Sequence, residues 1–251
     1  MRILHTVESY HPSVGGMQEV VRQLSERLVK MGHEVTVASG FHRERTQNML
    51  NGVKIEQFKI SGNDVNGIRG EVKEIERYQN FVCDPGFDIV TNFAAQQWAT
   101  DLVLPVLKLI KAKKVFVPTG FSGLYFPRFK SYFELMKTRM KEYDMNVFLS
   151  DNYRDINFAR ENGITATALI PNGAAEEEFL GENTIDIRKK LGIGENDFLV
   201  LHVGSYTGIK GHREALEIFV RSKMKNAVLL MIGNDNEHFK RHMRFHYSYF
   251  I

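Results

Sequence analysis

The sequence has a single cysteine, Cys83, among its 251 residues. One cysteine cannot form an internal disulfide, and this favours a reducing compartment. Long apolar runs are also missing, since no stretch approaches the ~18 apolar residues that a membrane helix needs. The start, from Met1 to Thr6, is too short and too quickly polar for a secretory signal. The sequence therefore predicts a cytoplasmic protein without a membrane span.

An excess of charge of one sign is absent as well. The 33 Lys and Arg nearly balance the 30 Asp and Glu, for a net charge of +3. This balance predicts no nucleic-acid partner, because such proteins carry a strong basic field. The proportions of 43% hydrophobic and 25% charged residues are typical of a soluble globular protein with a sizeable core.

Apolar runs without strict alternation recur along the chain and predict buried strands of a parallel sheet. They occupy residues 3–7, 35–38, 89–91, 115–117, 147–149, 166–170, 198–203 and 227–232. Between them lie helical patterns. The clearest runs from Met17 to Met31 and stops at Gly32, and another extends from a cap at Ser150 to Gly163. Strands that alternate with helices predict an α/β fold with a doubly wound sheet.

A domain boundary is predicted at the turn signal Pro171-Asn172-Gly173, which an acidic stretch follows. Residues 1–173 then form one Rossmann-like domain, and residues 174–251 form a linker and a second domain. The second domain is predicted to be incomplete, because its single strand–helix–strand unit is shorter than an ordinary domain of about 100 to 150 residues. We expect its exposed strand faces to cause aggregation or to bind a second chain that completes it.

A glycine pair, Gly15-Gly16, ends the loop between the first predicted strand and the first helix. Paired glycines let a ligand approach the backbone, and the free amides and dipole of the helix favour an anionic group. A tight turn chosen for its geometry alone is the alternative. The Gly-x-Gly-x-x-Gly pattern is absent, which disfavours a nicotinamide-dependent oxidoreductase.

A second glycine-bearing loop, residues 204–211, follows the strand 198–203 and contains Lys210. A lysine beside a helix start can bind a diphosphate by charge while backbone amides add hydrogen bonds. The loop is not a Walker motif, because Gly211 follows Lys210 where that motif needs Ser or Thr. A solvated surface lysine is the alternative, and the presence of the first loop favours a phosphate site.

With these loops the chain resembles the glycosyltransferase family 4 group, which has the GT-B fold of two Rossmann-like domains. Gly15-Gly16 matches that family's glycine loop, and residues 32–37, Gly-His-Glu-Val-Thr-Val, match the segment that enters its second strand. Residues 170–173, Ile-Pro-Asn-Gly, resemble the element that opens the interdomain hinge. Residues 204–211 resemble the donor-phosphate loop, so the resemblance extends over about residues 1–233.

The resemblance implies transfer of a sugar from a nucleotide diphosphate sugar to a saccharide or lipid-linked acceptor, with retention and without a metal or other cofactor. It implies a role in cell-surface polysaccharide or lipopolysaccharide assembly. The acceptor would bind mainly the first domain and the donor the second. Donor contacts are expected from Gly15, Gly16, Ser205, Lys210 and Asn172, although a structural role at the hinge is the alternative for Asn172. Lys210 would stabilise the charge of the departing diphosphate.

The sequence departs from the family pattern in three places. Ser205 stands where many members carry arginine, so a hydroxyl replaces one cation. Residues 118–121 contain no histidine where many members have one near the reacting sugar. No catalytic residue is therefore assigned, and His5 and His11 are substitutes by proximity only. The family's later glutamate pair would lie beyond Ile251, so we expect a truncated donor-binding domain. The alternative function is an inactive fragment that binds an acceptor or a partner protein.

Two weaker patterns have both a functional and a structural interpretation. Residues 124–143 mix aromatic and basic side chains, which suits peripheral contact with the inner face of the cell membrane. A core-facing helix stripe of Phe133, Met136 and Met140 is the alternative. Three histidines recur at every fourth position, but no carboxylate or cysteine completes a set, so no metal site is predicted. They are His238, His242 and His246.

Overall fold

The structure of the chain is a computed structural model that describes residues 1–181, 185–206, 208 and 210–233. The chain divides into two compact units, of which the first spans Met1–Ala174 and the second begins at Ala175. The strands of the first unit are β1 (Arg2–Thr6), β2 (Glu34–Gly40), β3 (Met49–Leu50), β4 (Val53–Phe58), β5 (Ser61–Asn63), β6 (Gly67–Arg69), β7 (Ile89–Phe93), β8 (Lys113–Val117), β9 (Met145–Phe148) and β10 (Thr167–Leu169).

Helices flank these strands in the first unit. They are α1 (Gly16–Lys30), α2 (Val72–Val82), α3 (Trp98–Asp101), α4 (Lys130–Arg139) and α5 (Arg154–Glu161), with short 3₁₀ turns at Leu104–Val106, Pro127–Phe129 and Met140–Glu142. The second unit contains a 3₁₀ turn at Glu176–Glu178, then α6 (Ile187–Leu191), β11 (Phe198–Val203), α7 (His212–Ser222) and β12 (Ala227–Ile232). Among the helices formed by described residues, none combines the length and the apolarity needed to cross a bilayer.

The first unit is built on an eight-stranded sheet in the order β10-β9-β8-β7-β1-β2-β4-β3. Its neighbouring strands are parallel, except for the antiparallel pair of β3 and β4. Ile3 and Leu4 belong to two different core clusters, because successive side chains of a strand point to opposite faces. Both faces are therefore covered, and the predicted α/β fold with a Rossmann-like parallel sheet is confirmed.

The second unit contains a parallel pair of strands, β11 and β12, with α7 between them in sequence. Several apolar side chains of this pair face solvent. Phe198 is 60% exposed, and Leu201 and Val203 are exposed to a similar extent. Strands of a parallel sheet are ordinarily buried on both faces. Within the described residues, this pair therefore has exposed apolar side chains, as the sequence predicts, and most of them belong to β11.

The eight strands predicted from apolar runs are all present, and the structure adds two hairpins that the runs do not indicate, β3–β4 and β5–β6. Asn51 and Gly52 link β3 to β4 with φ angles of 49° and 82°, the left-handed values that a two-residue hairpin requires. The predicted helix cap at Ser150 is wrong, because α5 begins at Arg154. The Ser150 hydroxyl instead accepts a hydrogen bond from the Asn152 amide at 3.4 Å.

His5 couples the stability of the first unit to pH. It lies in β1 at 2% exposure, with Nδ1 2.9 Å from the Ser25 hydroxyl, and burial lowers the pKa of His5 from 6.5 to about 4. Between these values the unfolded chain binds a proton that the folded chain does not, so stability falls as the pH falls. Over the whole window the loss is about 3 kcal/mol.

The variant His5→Asn keeps a hydrogen-bonding group but cannot titrate. We expect its free energy of unfolding, measured with urea at several pH values between about 4 and 6.5, to lose this pH dependence. His11→Asn, at an exposed histidine, is the matched control and should retain it. Equal pH dependence in His5→Asn and the parent chain would contradict the assignment.

Candidate functional site

The carboxyl ends of β1 and β7 mark the point where the strand order of the first unit reverses. From β1 the chain proceeds to β2 and β4 on one side, whereas β7 to β10 follow on the other. In open parallel sheets, ligands bind in the crevice that the loops form at such a point. The loop after β1, which holds the glycine pair, and the loop after β7 therefore outline the candidate site of this unit.

The glycine pair lies where this loop joins α1. Gly15 is the N-cap, with an extended φ of −176° and no side-chain cap, and Gly16 is the first helical residue. The Gln18 side chain folds back over Gly15, where a Cβ would meet its Oε1, and its Nε2 donates to the Ser9 hydroxyl at 2.6 Å. A Cβ at the exposed Gly16 would meet no described atom within 4 Å. The backbone at Gly16 is therefore open to an anionic ligand.

No rigid group among the described residues requires a glycine at position 15 or at position 16, because the atom nearest a Cβ at Gly15 is the end of the flexible Gln18 side chain. The Gln18 side chain occupies the space beside Gly15, whereas the space beside Gly16 is open. Gly16 also has no left-handed φ that would require glycine, and glycine is a poor helix former. A tight turn therefore does not explain the glycine at position 16. Close approach of a ligand to the backbone would explain it.

The loop after β7 is held against its neighbours by Gln97. Its Oε1 accepts a hydrogen bond from the Glu8 amide at 3.3 Å, and its Nε2 donates to the carbonyl oxygens of Phe93 and Ala94. Ala94 and Gln96 have φ angles of 60° and 61°, which cost a side-chain-bearing residue about 1–2 kcal/mol. Such strain persists where the surroundings impose it, and it is concentrated at functional sites.

A buried carboxylate supports the same loop. Asp101 accepts a hydrogen bond from the Tyr132 hydroxyl at 2.8 Å and from the Asp64 amide at 2.9 Å, and the Tyr132 hydroxyl accepts from the Gln96 amide at 2.9 Å. Burial raises the pKa of Asp101 to about 6. Sequence reasoning missed Gln97 and Asp101. The available signal for Gln97 was the pair of glutamines at residues 96 and 97, in the loop that follows the buried strand β7.

The loop after β8 contains residues 118–121, where the resembled family has a histidine. The Gly120 amide donates to the Asp155 carboxylate at 2.8 Å, and the Phe121 side chain is buried. These residues include no group that titrates near neutral pH. The suggestion of His5 as a substitute is wrong, because His5 is enclosed in the core beside Ser25. His11 is exposed in the glycine loop.

Asn172 does not join the glycine pair. It is exposed and follows β10. The strands β7, β8 and β9 separate β10 from β1, which corresponds to about 19 Å at the usual spacing of ~4.8 Å per strand. The first unit therefore does not bring Asn172 close to Gly15 and Gly16. A donor contact by Asn172 stays a prediction.

Ser205 and Lys210 share the loop between β11 and α7 in the second unit. Gly208 and Gly211, on either side of Lys210, have φ angles of 82° and 71°, so their backbone conformation accounts for both glycines. Across the base of the loop, His212 Nε2 lies 3.1 Å from the carbonyl oxygen of residue 204. Residues 207 and 209 lie outside the described residues.

Lys210 is the cation of this loop that is accessible to a ligand. Its side chain is exposed, and it forms no hydrogen bond or ion pair within the described residues. Ser205 is exposed as well, one residue beyond the start of the loop. The loop leads directly into α7, which has 11 residues. Lys210 and the positive end of α7 can therefore act on the same anionic group.

Residues 124–143 are divided between core and surface. Phe133, Met136 and Met140 are buried, so the core-facing stripe is confirmed. Tyr125 and Phe126 remain exposed, at 74% and 54%. The Arg154 guanidinium lies 5.5 Å from the centre of the Tyr125 ring, and the exposed Lys130 follows in α4. Aromatic and basic side chains thus share one surface patch, formed by Tyr125, Phe126, Lys130 and Arg154.

Metal ions in proteins are held by clusters of His, Cys, Asp and Glu side chains. In the part of the chain that the structure describes, no three of them come together in a way that could hold a metal ion. His238, His242 and His246 lie outside that part. Metal-free chemistry therefore stays a prediction from the resemblance.

Neither a family model nor a curated protein matches the sequence, but solved structures do match the fold. Sucrose-phosphate synthase from Thermosynechococcus elongatus matches with a TM-score of 0.74 and 14% identity, over 98% of this chain and 68% of that chain. A glycosyltransferase from Rickettsia africae matches with a TM-score of 0.70 and 17% identity, over 97% and 64% of the two chains.

HepE from Anabaena, solved in complex with UDP and glucose, matches with a TM-score of 0.68 and 12% identity, over 99% of this chain and 66% of that chain. This chain thus spans about two thirds of the length of these proteins. Identities this low establish a shared fold but not a shared activity. The chain has the fold of these glycosyltransferases, as the predicted GT-B class requires.

Proposed function

We propose that this chain acts in transferring a sugar from a nucleotide diphosphate sugar to a saccharide or lipid-linked acceptor. One observation carries the proposal: two glycine-bearing loops each connect a parallel strand to a helix N-terminus, in a fold that the chain shares with solved glycosyltransferases. A neighbour with this fold, HepE, was solved with UDP and glucose. That complex supports a nucleotide-sugar donor for this chain.

In this proposal the first unit takes the acceptor side and the second unit the donor side. Departure of the nucleotide diphosphate builds negative charge, and a fixed cation with oriented amides stabilises such charge. Lys210 supplies the cation and the N-terminus of α7 the amides, with Ser205 as a hydroxyl donor. Gly16 is a separate expected contact within the first unit, where its open backbone lets an anionic group approach the amides of α1. Retention at the anomeric carbon is the finer part of the proposal and rests on the resemblance.

Calorimetric titration of the chain with UDP, GDP and their sugar conjugates tests the proposal. We expect saturable binding of one nucleotide class, with the sugar conjugate bound at the same site, and no binding of NAD. Because the amides and Lys210 recognise the diphosphate, UMP should bind more weakly than UDP. If none of the nucleotide sugars binds, the donor assignment is wrong.

The proposed role is in the assembly of cell-surface polysaccharide or lipopolysaccharide. In this proposal the chain is cytoplasmic and contacts the inner face of the cell membrane. The patch of Tyr125, Phe126, Lys130 and Arg154 supports it, because exposed aromatic and basic side chains suit anionic headgroups. We expect co-flotation with phosphatidylglycerol vesicles and not with phosphatidylcholine vesicles. Absence of binding to both would remove the membrane from the proposal.

An alternative function is favoured by the uncovered surface of β11 and β12. In it, the chain does not catalyse but binds an acceptor or a second polypeptide that covers Phe198, Leu201 and Val203. Size-exclusion chromatography with light scattering distinguishes the two functions when combined with the titration. A complex without nucleotide binding would favour the alternative, whereas a monomer that binds UDP would exclude it.

A further inference from the structure

Arg45 ties the loop after β1 to the loop after β2. Its Nη2 donates to the Tyr10 carbonyl oxygen at 2.7 Å, and its Nε donates to the His11 carbonyl oxygen at 2.7 Å. Its Nη1 donates to the Gly40 carbonyl oxygen at 3.0 Å and to the Gln57 side-chain oxygen at 2.9 Å. One side chain thus connects the glycine loop to the carboxyl ends of β2 and β4.

The partners of Arg45 are all neutral. They are three backbone carbonyls and one amide, and no described carboxylate forms an ion pair with it. Burial lowers the pKa of Arg45, with only a weaker opposing effect from Tyr10. A partly buried cation without a counter-charge is costly. Within the described residues its charge is therefore stabilised by neutral acceptors alone.

The glycine loop is also tied at its helix end. The Ser13 amide donates to the Tyr10 carbonyl oxygen at 3.2 Å, the same oxygen that accepts from Arg45. At the other end, Gln18 of α1 donates to the Ser9 hydroxyl. Between these ties lie residues 14–16, whose amides lead into the first turn of α1. Arg45 is thus one of the ties that hold the backbone from which residues 14–16 lead into α1.

We propose that Arg45 is the positioning residue of the glycine loop. Its guanidinium holds the backbone at Tyr10 and His11, so that Gly15 and Gly16 present the first-turn amides of α1 in one orientation, and its charge favours an anionic ligand there. The ligand class is the diphosphate of a nucleotide sugar, and in this respect the inference rests on the proposed function. The immobilisation of the loop by Arg45 does not depend on the proposed function.

Three variants test this role. Arg45→Met keeps the aliphatic stem but removes every donor, and Arg45→Lys keeps the charge but loses the planar fork. Arg43→Met is the matched control, because Arg43 is exposed in the same loop and its substitution removes the same charge. The ¹⁵N order parameters of the Gly15 and Gly16 amides report the immobilisation directly. Thermal unfolding verifies that each variant is folded.

For the Gly15 and Gly16 amides we expect order parameters of about 0.85 in the parent chain and in Arg43→Met. In Arg45→Met we expect values below about 0.6. Unchanged order parameters in Arg45→Met would overturn the proposal. If that variant does not fold, Arg45→Lys decides the question, because an ammonium cannot reproduce the paired Nε and Nη2 contacts. Parent-like order parameters in Arg45→Lys would then overturn the proposal as well.

Calorimetry with UDP supplies the second readout. We expect Arg45→Met to weaken UDP binding by about tenfold, the usual effect of misplacing a hydrogen bond to a charged group, and Arg43→Met to change it by less than about twofold. If the parent chain does not bind UDP, the donor assignment fails, but the order parameters still decide the role of Arg45. Loss of loop order without weaker UDP binding would overturn the ligand part of the inference.

Discussion

Lys210→Ala is expected to weaken UDP binding by about 30-fold, or about 2 kcal/mol, the usual contribution of a hydrogen bond to a charged group. The physical reason is the position of Lys210. It is exposed between Gly208 and Gly211 at the start of α7, and no described group neutralises it. A diphosphate bound at that loop loses its cation in the variant, while the backbone amides remain. Calorimetric titration with UDP at low ionic strength measures the effect.

The matched control for this prediction is Lys225→Ala. Lys225 is also exposed in the second unit and forms no ion pair within the described residues, so its removal changes the net charge equally. We expect Lys225→Ala to bind UDP like the parent chain. Added salt should weaken UDP binding less in Lys210→Ala than in the parent, because one screened attraction is gone. Equal affinities of Lys210→Ala and Lys225→Ala would mean that Lys210 is an ordinary surface lysine.

Gly16→Ala is expected to change stability and binding in opposite directions. Alanine should raise the free energy of unfolding by about 0.5–1 kcal/mol, since glycine is a poor helix former and the added methyl group fits without strain. The open space around Gly16 supports this fit. The same methyl group would stand between the ligand and the backbone, and we expect UDP binding to weaken by about tenfold or more. Urea unfolding and calorimetry measure the two effects.

Gly181→Ala is the control for a methyl group added in open space, because a Cβ at Gly181 also meets no described atom within 4 Å. It should leave UDP binding unchanged. If Gly16→Ala lowers stability and binding together, the glycine serves the turn and not the ligand. If it raises stability without an effect on binding, Gly16 is not a contact.

The layered α/β fold could be predicted from local sequence because buried parallel strands are apolar throughout. The runs at residues 3–7 and 35–38, for example, coincide with β1 and β2. β4 lies next to the sheet edge, and its exposed Lys54 and half-buried Glu56 and Gln57 interrupt the buried side chains, so the same criterion missed it. The Asn51-Gly52 hairpin signal was present beside it and would have identified β3 and β4.

The candidate site was predictable only in part. The glycine pair and Lys210 lie at strand–helix junctions, and such junctions are visible in the sequence as a glycine between an apolar run and a helical pattern. The steric difference between Gly15 and Gly16 was not visible, because it depends on where the Gln18 side chain folds. Burial was not visible either, so His5 could be suggested as a substitute by proximity, although the structure encloses it beside Ser25.

Residue order alone therefore determines which segments are strands and helices and where glycine-bearing loops meet helix N-termini, since periodicity and helix signals act over a few residues. Tertiary structure alone decides what holds those loops. Arg45 reaches carbonyls 34 and 35 residues away, and Gln97 reaches the Glu8 amide 89 residues away. Such partners are set by how the loops pack at the carboxyl edge of the sheet, and no local pattern records that packing.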